Sequence, residues 1–302
     1  MNNSISFIIP AYNCEKTVIE SINSIVETNF SPNDEIIVVD DASTDNTVKL
    51  IQTHFQHIDN LKIIQHQYNR GGGAARNTAV MHSKNELVFC LDSDNILESN
   101  SIRPLREYLL SNNLDCVAFQ EIKFFMKNPN EITHSWIFNH NIYEFKDFLS
   151  DPYVPGASGN YLYTKQSWIK ASGYPEFAKA LDAWGFGLRQ VATGTKISIF
   201  PNSYYFHRYG YDSYWVRFIK ENNASLTALM IIIPFLNEII NKDIRYLMSE
   251  KGRNSWFENI HKRPIKLKNN LSFQCKFNKL SQKIIEELQK LMQFSGYYDQ
   301  KN

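Results

Sequence analysis

The feature that most constrains the fold is an alternation of short apolar runs with helix-patterned segments along the first hundred residues. Apolar residues three and four apart, as at Val18, Ile22 and Ile25, are typical of an amphipathic helix, and Asn13 is its expected N-cap. Continuous apolar runs are typical of buried strands. They occupy residues 6–10, 35–39, 61–64 and 87–91. Strands that alternate with helices predict an α/β fold with a largely parallel, doubly wound sheet.

Two carboxylates follow the fourth apolar run. Asp92 and Asp94 lie one residue apart, so an extended backbone would point both to the same side. Open α/β sheets bind ligands outside the carboxyl ends of their strands. Two hard oxygen donors at that edge suit Mg²⁺ or Mn²⁺, which in turn can hold a diphosphate. A polar turn is the alternative for an isolated Asp-x-Asp, but the position of this pair favours a metal site.

A glycine triplet precedes another helix-patterned segment. Gly71, Gly72 and Gly73 carry no Cβ and let the backbone approach a ligand closely. The segment is not a Walker loop, because no Gly-Lys-Ser/Thr follows it. Arg76 comes just after the triplet, where a guanidinium can engage a phosphate or a base. A structural ion pair with a strand-end aspartate is the alternative.

Four segments, in this order, resemble the motifs of family 2 glycosyltransferases, which have the GT-A fold. They are Ile9-Pro10-Ala11-Tyr12-Asn13, residues 38–45, residues 71–77 and Asp92-Ser93-Asp94. The resemblance is strongest over residues 5–98 and partly resumes between about 155 and 215.

The resemblance implies a domain organisation. Residues 1–215 would form a GT-A glycosyltransferase domain, with a nucleotide-binding half at 1–98 and an acceptor half at 99–215. Residues 216–302 would form a mainly helical, basic C-terminal extension.

A donor site at the ends of the first two strands is also implied. Pro10, Ala11 and Tyr12 would contact the base of the nucleotide. Asp40 and Asp41 would accept hydrogen bonds from the base and from the ribose hydroxyls. Capping of the helix that begins near residue 45 is the alternative for Asp41.

The resemblance implies a separate role for each residue of Asp92-Ser93-Asp94. Asp94 would bind the Mn²⁺ or Mg²⁺ ion, Asp92 would meet the ribose or a metal-bound water, and Ser93 would belong to the nucleotide-sugar site. The ion would act as a Lewis acid that stabilises the departing nucleoside diphosphate.

The candidate catalytic base comes from the second half of the resemblance. Family members carry an acidic pair, an aromatic residue and an arginine where this chain has residues 181–189. Asp182 supplies one carboxylate of the pair, whereas Ala183 stands at the other position. Asp182 is therefore the predicted base for the acceptor proton, with a helix cap as the alternative. Trp184 is predicted to stack on the acceptor sugar.

His207 lies in the aromatic stretch 204–211. The family places a histidine at this point, on the metal or the diphosphate, and neutral imidazole is an acceptable Mn²⁺ ligand. His207 is therefore the second predicted metal ligand. A packed or exposed histidine without a ligand is the alternative.

Charge is unevenly distributed along the chain. The formal net charge is +1, but residues 251–290 carry ten Lys or Arg and three Asp or Glu, a local net charge of +7. An apolar stripe in this region predicts a helix. The stripe consists of Leu280, Ile284, Leu288 and Leu291. We interpret the segment as a packed extension; contact with an anionic membrane or a lipid-diphosphate acceptor is the alternative. Nucleic acid is not expected as a partner, since no recognition motif accompanies the charge.

No paired spacing links the four cysteines, Cys14, Cys90, Cys116 and Cys275. Reduced thiols and a cytoplasmic location are therefore expected, peripheral at the inner face of the membrane if the basic segment binds lipid. The first strand begins within six residues of Met1, so no signal peptide is expected. The longest apolar run, near residues 226–240, is too interrupted to span a bilayer.

These observations predict a metal-dependent glycosyltransferase. It would move a sugar from a nucleotide sugar, with a UDP-sugar as the expected donor, to a hydroxyl of a glycan or lipid-linked acceptor. The resemblance implies inversion and a role in surface polysaccharide synthesis. A sugar nucleotidyltransferase is a second hypothesis, although such enzymes usually place a Gly-rich basic loop where this chain has Pro10-Ala11-Tyr12-Asn13. A non-catalytic module that binds nucleotide sugars is a third, motivated by Ala183.

Overall fold

Four parallel strands form the first part of the central sheet in the computed structural model of the chain. Residues 3–28, 30–210, 214–220 and 224–268 are described. In chain order the elements of this part are β1 (Ile5–Ala11), α1 (Val18–Val26), β2 (Glu35–Asp40), α2 (Thr47–His54), β3 (Leu61–Gln65), α3 (Gly72–Met81) and β4 (Leu87–Cys90). The strands lie in the order β3, β2, β1, β4. The predicted doubly wound, mostly parallel arrangement is confirmed.

Burial explains why these strands are almost continuously apolar. Every residue of β2 is buried, as expected for a central parallel strand covered on both faces. Helix α1 buries Val18, Ile22 and Ile25, the residues whose spacing predicts it. Helix α3 buries small residues, including Ala75 and Ala79, and these let its backbone lie close to β1 and β2.

The N-cap prediction for α1 is wrong. The helix begins at Val18 with Thr17 as its N-cap, and Asn13 has a φ of +49°. Asn13 Oδ1 accepts a hydrogen bond from the Thr44 N–H (2.8 Å), and the Asn13 N–H donates to Ser43 Oγ (2.9 Å). Asparagine tolerates this left-handed conformation, so Asn13 ties the end of β1 to the loop after β2.

The second part of the sheet is mixed. Its elements are β5 (Ile96–Leu97), α4 (Ile102–Ser111), β6 (Cys116–Phe125), β7 (His134–Ile137), β8 (Ile142–Tyr143), α5 (Phe145–Phe148), α6 (Pro155–Ser158), β9 (Leu162–Thr164), α7 (Lys165–Lys170), α8 (Asp182–Ala192) and β10 (Ile197–Arg208). Strand β9 lies antiparallel between β4 and β6 and joins the two parts, whereas β10 runs parallel to β6. The edge strand β7 pairs with β6.

Helices follow the sheet, as expected for the C-terminal region. They are α9 (Tyr214–Lys220), α10 (Ala224–Ile232), α11 (Asn241–Met248) and α12 (Glu250–Glu258). The Phe235 ring packs edge-on against Phe145 at 5.4 Å, and the Ile265 N–H donates to the Leu149 carbonyl (3.1 Å). Trp256 is buried. The region therefore packs on the second part of the sheet as far as residue 268, and the predicted stripe from Leu280 to Leu291 lies outside the described residues.

Within the described ranges, no helix is both long enough and apolar enough to cross a membrane. Cys14, Cys90 and Cys116 are free thiols, and Cys275 lies outside those ranges.

Candidate active site

Asp92 is held at the carboxyl end of β4 from two sides. Asn160, just before β9, accepts a hydrogen bond from the Asp92 N–H on its Oδ1 (2.8 Å), and its Nδ2 donates to Asp92 Oδ2 (3.0 Å). Arg76 Nη2 donates to the other carboxylate oxygen, Oδ1, at 2.6 Å. These bonds fix the carboxylate at the edge where an open α/β sheet binds its ligand.

Arg76 joins this carboxylate to the candidate base. Its Nη1 donates to Asp182 Oδ2 at 2.6 Å, so one buried guanidinium bridges Asp92 and Asp182. Burial alone would lower the pKa of Arg76, but Asp182 and Asp92 raise it well above its ordinary value. Burial raises the pKa of Asp182, and Arg76 opposes that rise. The ion pair that the sequence suggests as the alternative role of Arg76 is thus present. Both partners of Arg76, Asp92 and Asp182, are predicted site residues.

Asp182 occupies the first position of α8, where its Oδ1 accepts a hydrogen bond from the Ala183 N–H (2.6 Å). One carboxylate oxygen of Asp182 therefore accepts a hydrogen bond from the backbone of the helix, and the other accepts one from Arg76. The Asp182 residue is only 4% exposed. The N-cap of α8 is Leu181, without a side-chain cap bond, so the capping alternative for Asp182 is wrong, and a role as base stays a prediction.

Asp94 differs from Asp92 in having no ion pair among the described residues. Burial, together with the charge of Asp92, raises the pKa of Asp94 to about 7. A nearby cation would favour the ionised form of such a carboxylate, so the residue fits the metal-ligand role. No group of three or more His, Cys, Asp or Glu side chains suited to a metal gathers in the described part of the chain. A cation here would therefore complete its shell with water and donor oxygens, as Mg²⁺ commonly does.

His207 is the penultimate residue of β10 and lies near the same carboxylates. Burial lowers its pKa to about 4, so the ring is neutral. Asn95 Oδ1 accepts a hydrogen bond from the Arg208 N–H (2.9 Å), which orients the amide so that Asn95 Nδ2 donates to His207 Nδ1 (3.2 Å). Since Nδ1 accepts, the proton of the neutral ring lies on Nε2. This tautomer suits donation to an anionic group better than metal binding through Nε2.

Asp41 organises the glycine loop. Its carboxylate accepts hydrogen bonds from the Arg70 N–H (2.9 Å) and the Gly71 N–H (2.7 Å), and it contacts His66 Nδ1 at 2.6 Å. It does not cap α2, whose N-cap is Asn46. The capping alternative for Asp41 is therefore wrong: its carboxylate fixes the start of α3 instead.

Asp40 is the strand-end carboxylate with spare capacity. Its Oδ2 accepts a hydrogen bond from the Ser43 N–H (3.2 Å). Its Oδ1 is buried and lacks a hydrogen-bond partner among the described residues. Because such atoms are normally satisfied, Asp40 is better placed than Asp41 to accept a hydrogen bond from a ligand.

The residues at the carboxyl end of β1 line the same edge. Ala11 pairs with Asp40 across the sheet, and its carbonyl accepts a hydrogen bond from the Asp41 N–H (2.8 Å). Pro10 is half-buried, and the Tyr12 ring is 48% exposed. Among these three residues, Tyr12 therefore offers the open face for a base.

Ser93 and Trp184 have other partners. Ser93 is half-buried and hydrogen bonds to the side chain of Cys14. The Trp184 indole belongs to the hydrophobic core and is 8% exposed. Little of its ring is open to a sugar, so stacking on the acceptor stays a prediction that the burial disfavours.

Sequence reasoning missed Asn160 and Asn95. Asn160 lies 68 residues from Asp92 and follows Gly159, which has a φ of +75°. A Cβ on that glycine would lie 3.0 Å from the Ala183 Cβ, so the small residue at 183 accommodates the turn that presents Asn160. The glycine was the one local signal, and it does not say which side chain the turn presents.

The chain is similar to known proteins in both sequence and fold. The sequence model for glycosyl transferase family 2 matches residues 6–171. Poly(ribitol-phosphate) beta-N-acetylglucosaminyltransferase TarS of Staphylococcus aureus is 32% identical over 117 residues, 38% of this chain and 20% of TarS. Glycosyltransferase GlyG of Streptococcus pneumoniae is 36% identical over 118 residues, 39% of this chain and 38% of GlyG.

A third relative carries a more specific name. UDP-Glc:alpha-D-GlcNAc-diphosphoundecaprenol beta-1,3-glucosyltransferase WfgD of Escherichia coli is 31% identical over 134 residues, 44% of this chain and 50% of WfgD. The matched stretch spans half or less of the length of each of these three relatives.

Solved structures show the same fold. The crystal structure of S. aureus TarS 1-349 superposes with a TM-score of 0.61 at 21% identity, covering 85% of this chain and 73% of that one. Its complex with UDP-GlcNAc gives 0.65 at 20% identity, covering 85% and 74%. At this identity the likeness shows the fold, which is the predicted GT-A type. The family match itself covers more than half of the chain, and the chain therefore belongs to glycosyl transferase family 2.

Proposed function

We propose that this protein is a metal-dependent glycosyltransferase that uses a UDP-sugar. It transfers the sugar, with inversion, to a hydroxyl of a glycan or lipid-linked acceptor in surface polysaccharide synthesis. One observation carries the proposal: Arg76 joins the strand-end Asp92 to the candidate base Asp182 with two 2.6 Å hydrogen bonds. Donor carboxylates and a proton acceptor thereby meet at one edge of the sheet. The names of TarS and WfgD support the sugar-transfer class, and the UDP-GlcNAc complex of TarS supports the donor.

The donor half supplies recognition of the nucleotide. Tyr12 offers an exposed ring to the base, and Asp40 Oδ1 accepts a hydrogen bond from a base N–H or a ribose hydroxyl. Asp92, oriented by Asn160 and Arg76, meets the ribose. The bond to Asp40 would favour nucleotide binding, because the buried Asp40 Oδ1 would gain the hydrogen-bond partner that it otherwise lacks among the described residues.

Asp94 would hold Mn²⁺ or Mg²⁺, and the bound ion would supply positive charge to the leaving diphosphate. The fit rests on a carboxyl group that lacks an ion pair in the described structure and whose pKa is raised to about 7. His207 belongs to the same proposal, as a ligand of the ion or as an Nε2–H donor to the diphosphate. The tautomer that Asn95 imposes favours the second role.

Asp182 would take the proton of the acceptor hydroxyl. As that oxygen attacks the anomeric carbon, the bond from this carbon to the diphosphate oxygen breaks, which inverts the configuration. Burial raises the pKa of Asp182 and thereby strengthens it as a base. Arg76 keeps the carboxylate ionised and fixes its direction.

A cytoplasmic location, with peripheral contact at the inner face of the membrane, completes the proposal. Residues 251–268 carry six Lys or Arg and one Glu, a net charge of +5 (6 − 1). Attraction of about 1 kcal/mol per basic residue near an anionic surface makes such binding measurable. Co-sedimentation with phosphatidylserine vesicles at low salt tests it, and absence of the protein from the pellet would remove the membrane contact.

A non-catalytic binding module is the second candidate, and Ala183 favours it, because the family's acidic pair keeps only one carboxylate here. Such a module would bind nucleotide sugars without turning them over. The sugar nucleotidyltransferase hypothesis does not survive the family assignment.

A thermal-shift panel of UDP-, GDP-, CMP- and dTDP-sugars, with and without Mn²⁺, tests the proposal. A ligand that binds only the folded state raises the melting temperature as its concentration exceeds its dissociation constant. UDP-sugars should give the largest shift, and Mn²⁺ should enlarge it. No shift with any nucleotide would overturn the donor assignment. A shift without sugar transfer or hydrolysis would favour the binding module.

A further inference from the structure

A row of aromatic rings leads outward from the candidate active site. Strand pairing places His207 of β10 beside Phe124 of β6, and Phe124 beside His134 of β7. The neighbouring row runs from Tyr205 through the β6 residue Ile122 to Trp136. Residues two apart on a strand face the same side, so both rows lie on one face of the sheet.

The rings in these rows are in contact. Phe124 lies 4.9 Å from His207, stacks on His134 at 4.4 Å and lies 4.9 Å from Trp136, all between ring centroids. Trp136 then meets Tyr153 at 5.0 Å with an interplanar angle of 62°. The path is therefore continuous from the histidine at the diphosphate end to the outer edge of the sheet.

The outer rings are accessible, unlike the inner ones. Phe124 is buried, whereas Trp136 is half-buried and His134 is exposed. Tyr153 is 50% exposed. We call His134, Trp136 and Tyr153 the aromatic platform. Trp136 forms its floor, and the steeply inclined Tyr153 ring forms a wall beside it.

The shape and chemistry of the platform suit a pyranose ring. Such a ring has a face of C–H groups that packs on an aromatic surface, while its hydroxyls lie at the rim and need polar partners or water. His134 supplies a polar ring at that rim, and its Nδ1 lies 3.0 Å from Thr133 Oγ1. A flat apolar partner would leave this rim unsatisfied, whereas a sugar engages both the rim and the floor.

We infer that the aromatic platform is the acceptor subsite that holds a saccharide unit of the acceptor behind its reacting hydroxyl. This inference rests on the proposed function, since it names the acceptor of that same site as a saccharide. The location follows from continuity: the reacting hydroxyl would lie between Asp182 and the donor, and the rest of the glycan would extend toward Trp136 and the exposed His134, whose rings pack on the buried Phe124. Trp136, rather than the buried Trp184, takes the stacking role that the sequence suggests for a tryptophan.

Ligand-detected saturation-transfer NMR tests the inference with two probes, methyl β-D-glucopyranoside and methyl β-D-N-acetylglucosaminide. The protein is saturated with UDP and Mn²⁺, so that the donor site is filled. Tyr153→Ala and Trp136→Ala are compared with the wild type. Ile137→Ala is the matched control, because Ile137 is an exposed residue of the same strand with its side chain on the opposite face.

At least one probe should bind the wild type and the Ile137→Ala variant through its ring C–H protons. Each platform variant should weaken that binding about tenfold, the effect expected for losing one aromatic contact face. Trp136→Phe should keep part of the signal, which covers the case that Trp136→Ala fails to fold. Equal binding in Tyr153→Ala and the wild type, or no binding of either probe to the wild type, would overturn the inference.

The outcome separates this inference from the proposed function. The UDP-induced shift in melting temperature tests the donor site and does not involve the platform. A UDP shift together with unaltered saccharide binding in the variants would refute the platform and leave the glycosyltransferase standing. Platform-dependent saccharide binding without any UDP shift would support the platform as a saccharide site and overturn UDP as the nucleotide of the donor.

Discussion

In the first part of the sheet, the carboxylates that follow β2 are held largely by backbone N–H groups. In the second part, the side chains of the site come from a helix end, a turn and aromatic faces. Asp41 shows the first pattern, with bonds from the Arg70 and Gly71 N–H groups. Asn160 and Trp136 show the second, since each is placed by strand pairing or by a turn.

This difference indicates how sensitive each part of the site is to amino-acid substitution. Bonds to the backbone survive changes in the surrounding side chains, so a nucleotide site built on them is robust to sequence drift. An aromatic face on an edge strand changes with a single substitution, so it suits the selection of one acceptor among many. Arg76 spans the two parts, because it reaches from α3 to Asp182 on α8.

The largest expected effect lies in the first part. Asp94→Ala should lower turnover roughly a thousandfold, because several kcal/mol of charge stabilisation at the leaving diphosphate are lost with the metal. Sugar transfer or donor hydrolysis with Mn²⁺ measures the loss. Asp115→Ala is the control: this aspartate precedes β6 at the opposite edge of the sheet. Near-normal activity of Asp94→Ala would remove the metal assignment.

Arg76→Leu should remove the ion pairs that link the two parts of the sheet. Two carboxylates would lose their ion pair, one of them deeply buried, and breaking a buried ion pair costs about 3 kcal/mol of unfolding free energy. Urea unfolding measures that cost. Arg103→Leu is the control, because Arg103 pairs with Glu107 on an exposed helix face and should change stability by less than about 1 kcal/mol.

The loss in Arg76→Leu should depend on pH. Burial already raises the pKa of Asp182, and Arg76 opposes that rise, so its removal raises the pKa further. A carboxyl group whose pKa is raised in the folded state destabilises that state when the group is ionised. The destabilisation falls as the pH drops below the raised pKa, because the group is then protonated in the folded state. The stability deficit should therefore shrink as the pH falls from above the raised pKa of Asp182 toward the ordinary pKa of an aspartate. A deficit that is constant over this interval would show that Arg76 acts through packing.

Asp182→Asn should affect the second part alone. Turnover should fall roughly a hundredfold or more, the usual scale for losing a general base, with little change in the affinity for UDP. Steady-state kinetics and UDP titration measure the two quantities separately. An equal loss of UDP affinity would mark Asp182 as a donor-site residue. Unchanged turnover would show that Asp182 has no catalytic role.

The smallest effect is expected at the junction of the site and the aromatic row. His207→Ala should weaken UDP binding about tenfold, because an N–H bond to a charged group contributes about 1.5–3 kcal/mol, and should leave the apparent Mn²⁺ affinity nearly unchanged. Titrations of UDP at saturating Mn²⁺, and of Mn²⁺ at saturating UDP, give both values. A larger fall in Mn²⁺ affinity would restore His207 as a metal ligand.

Local sequence signals were enough to predict the first part of the sheet. The apolar runs mark β1 to β4 to within one or two residues, and the helical spacing of Val18, Ile22 and Ile25 marks the presence of α1. The strand-end aspartates also follow from the sequence, because the carboxyl ends of parallel strands share one edge. The N-cap of α1 was misassigned because Asn13 bonds across to the loop at Ser43 and Thr44, a contact outside the reach of a local pattern.

Contacts between distant residues decided the rest. Arg76 and Asp182 are 106 residues apart, and Asn160 and Asp92 are 68 apart; neither pair leaves a trace in local composition. The sequence by itself determined the alternating strands and helices, the family and the carboxylates at the sheet edge, since these depend on propensity and order along the chain. Only the tertiary structure decided which cation Asp182 meets, which tautomer His207 adopts and which aromatic rings form a path, because strand register and chain crossing set those distances.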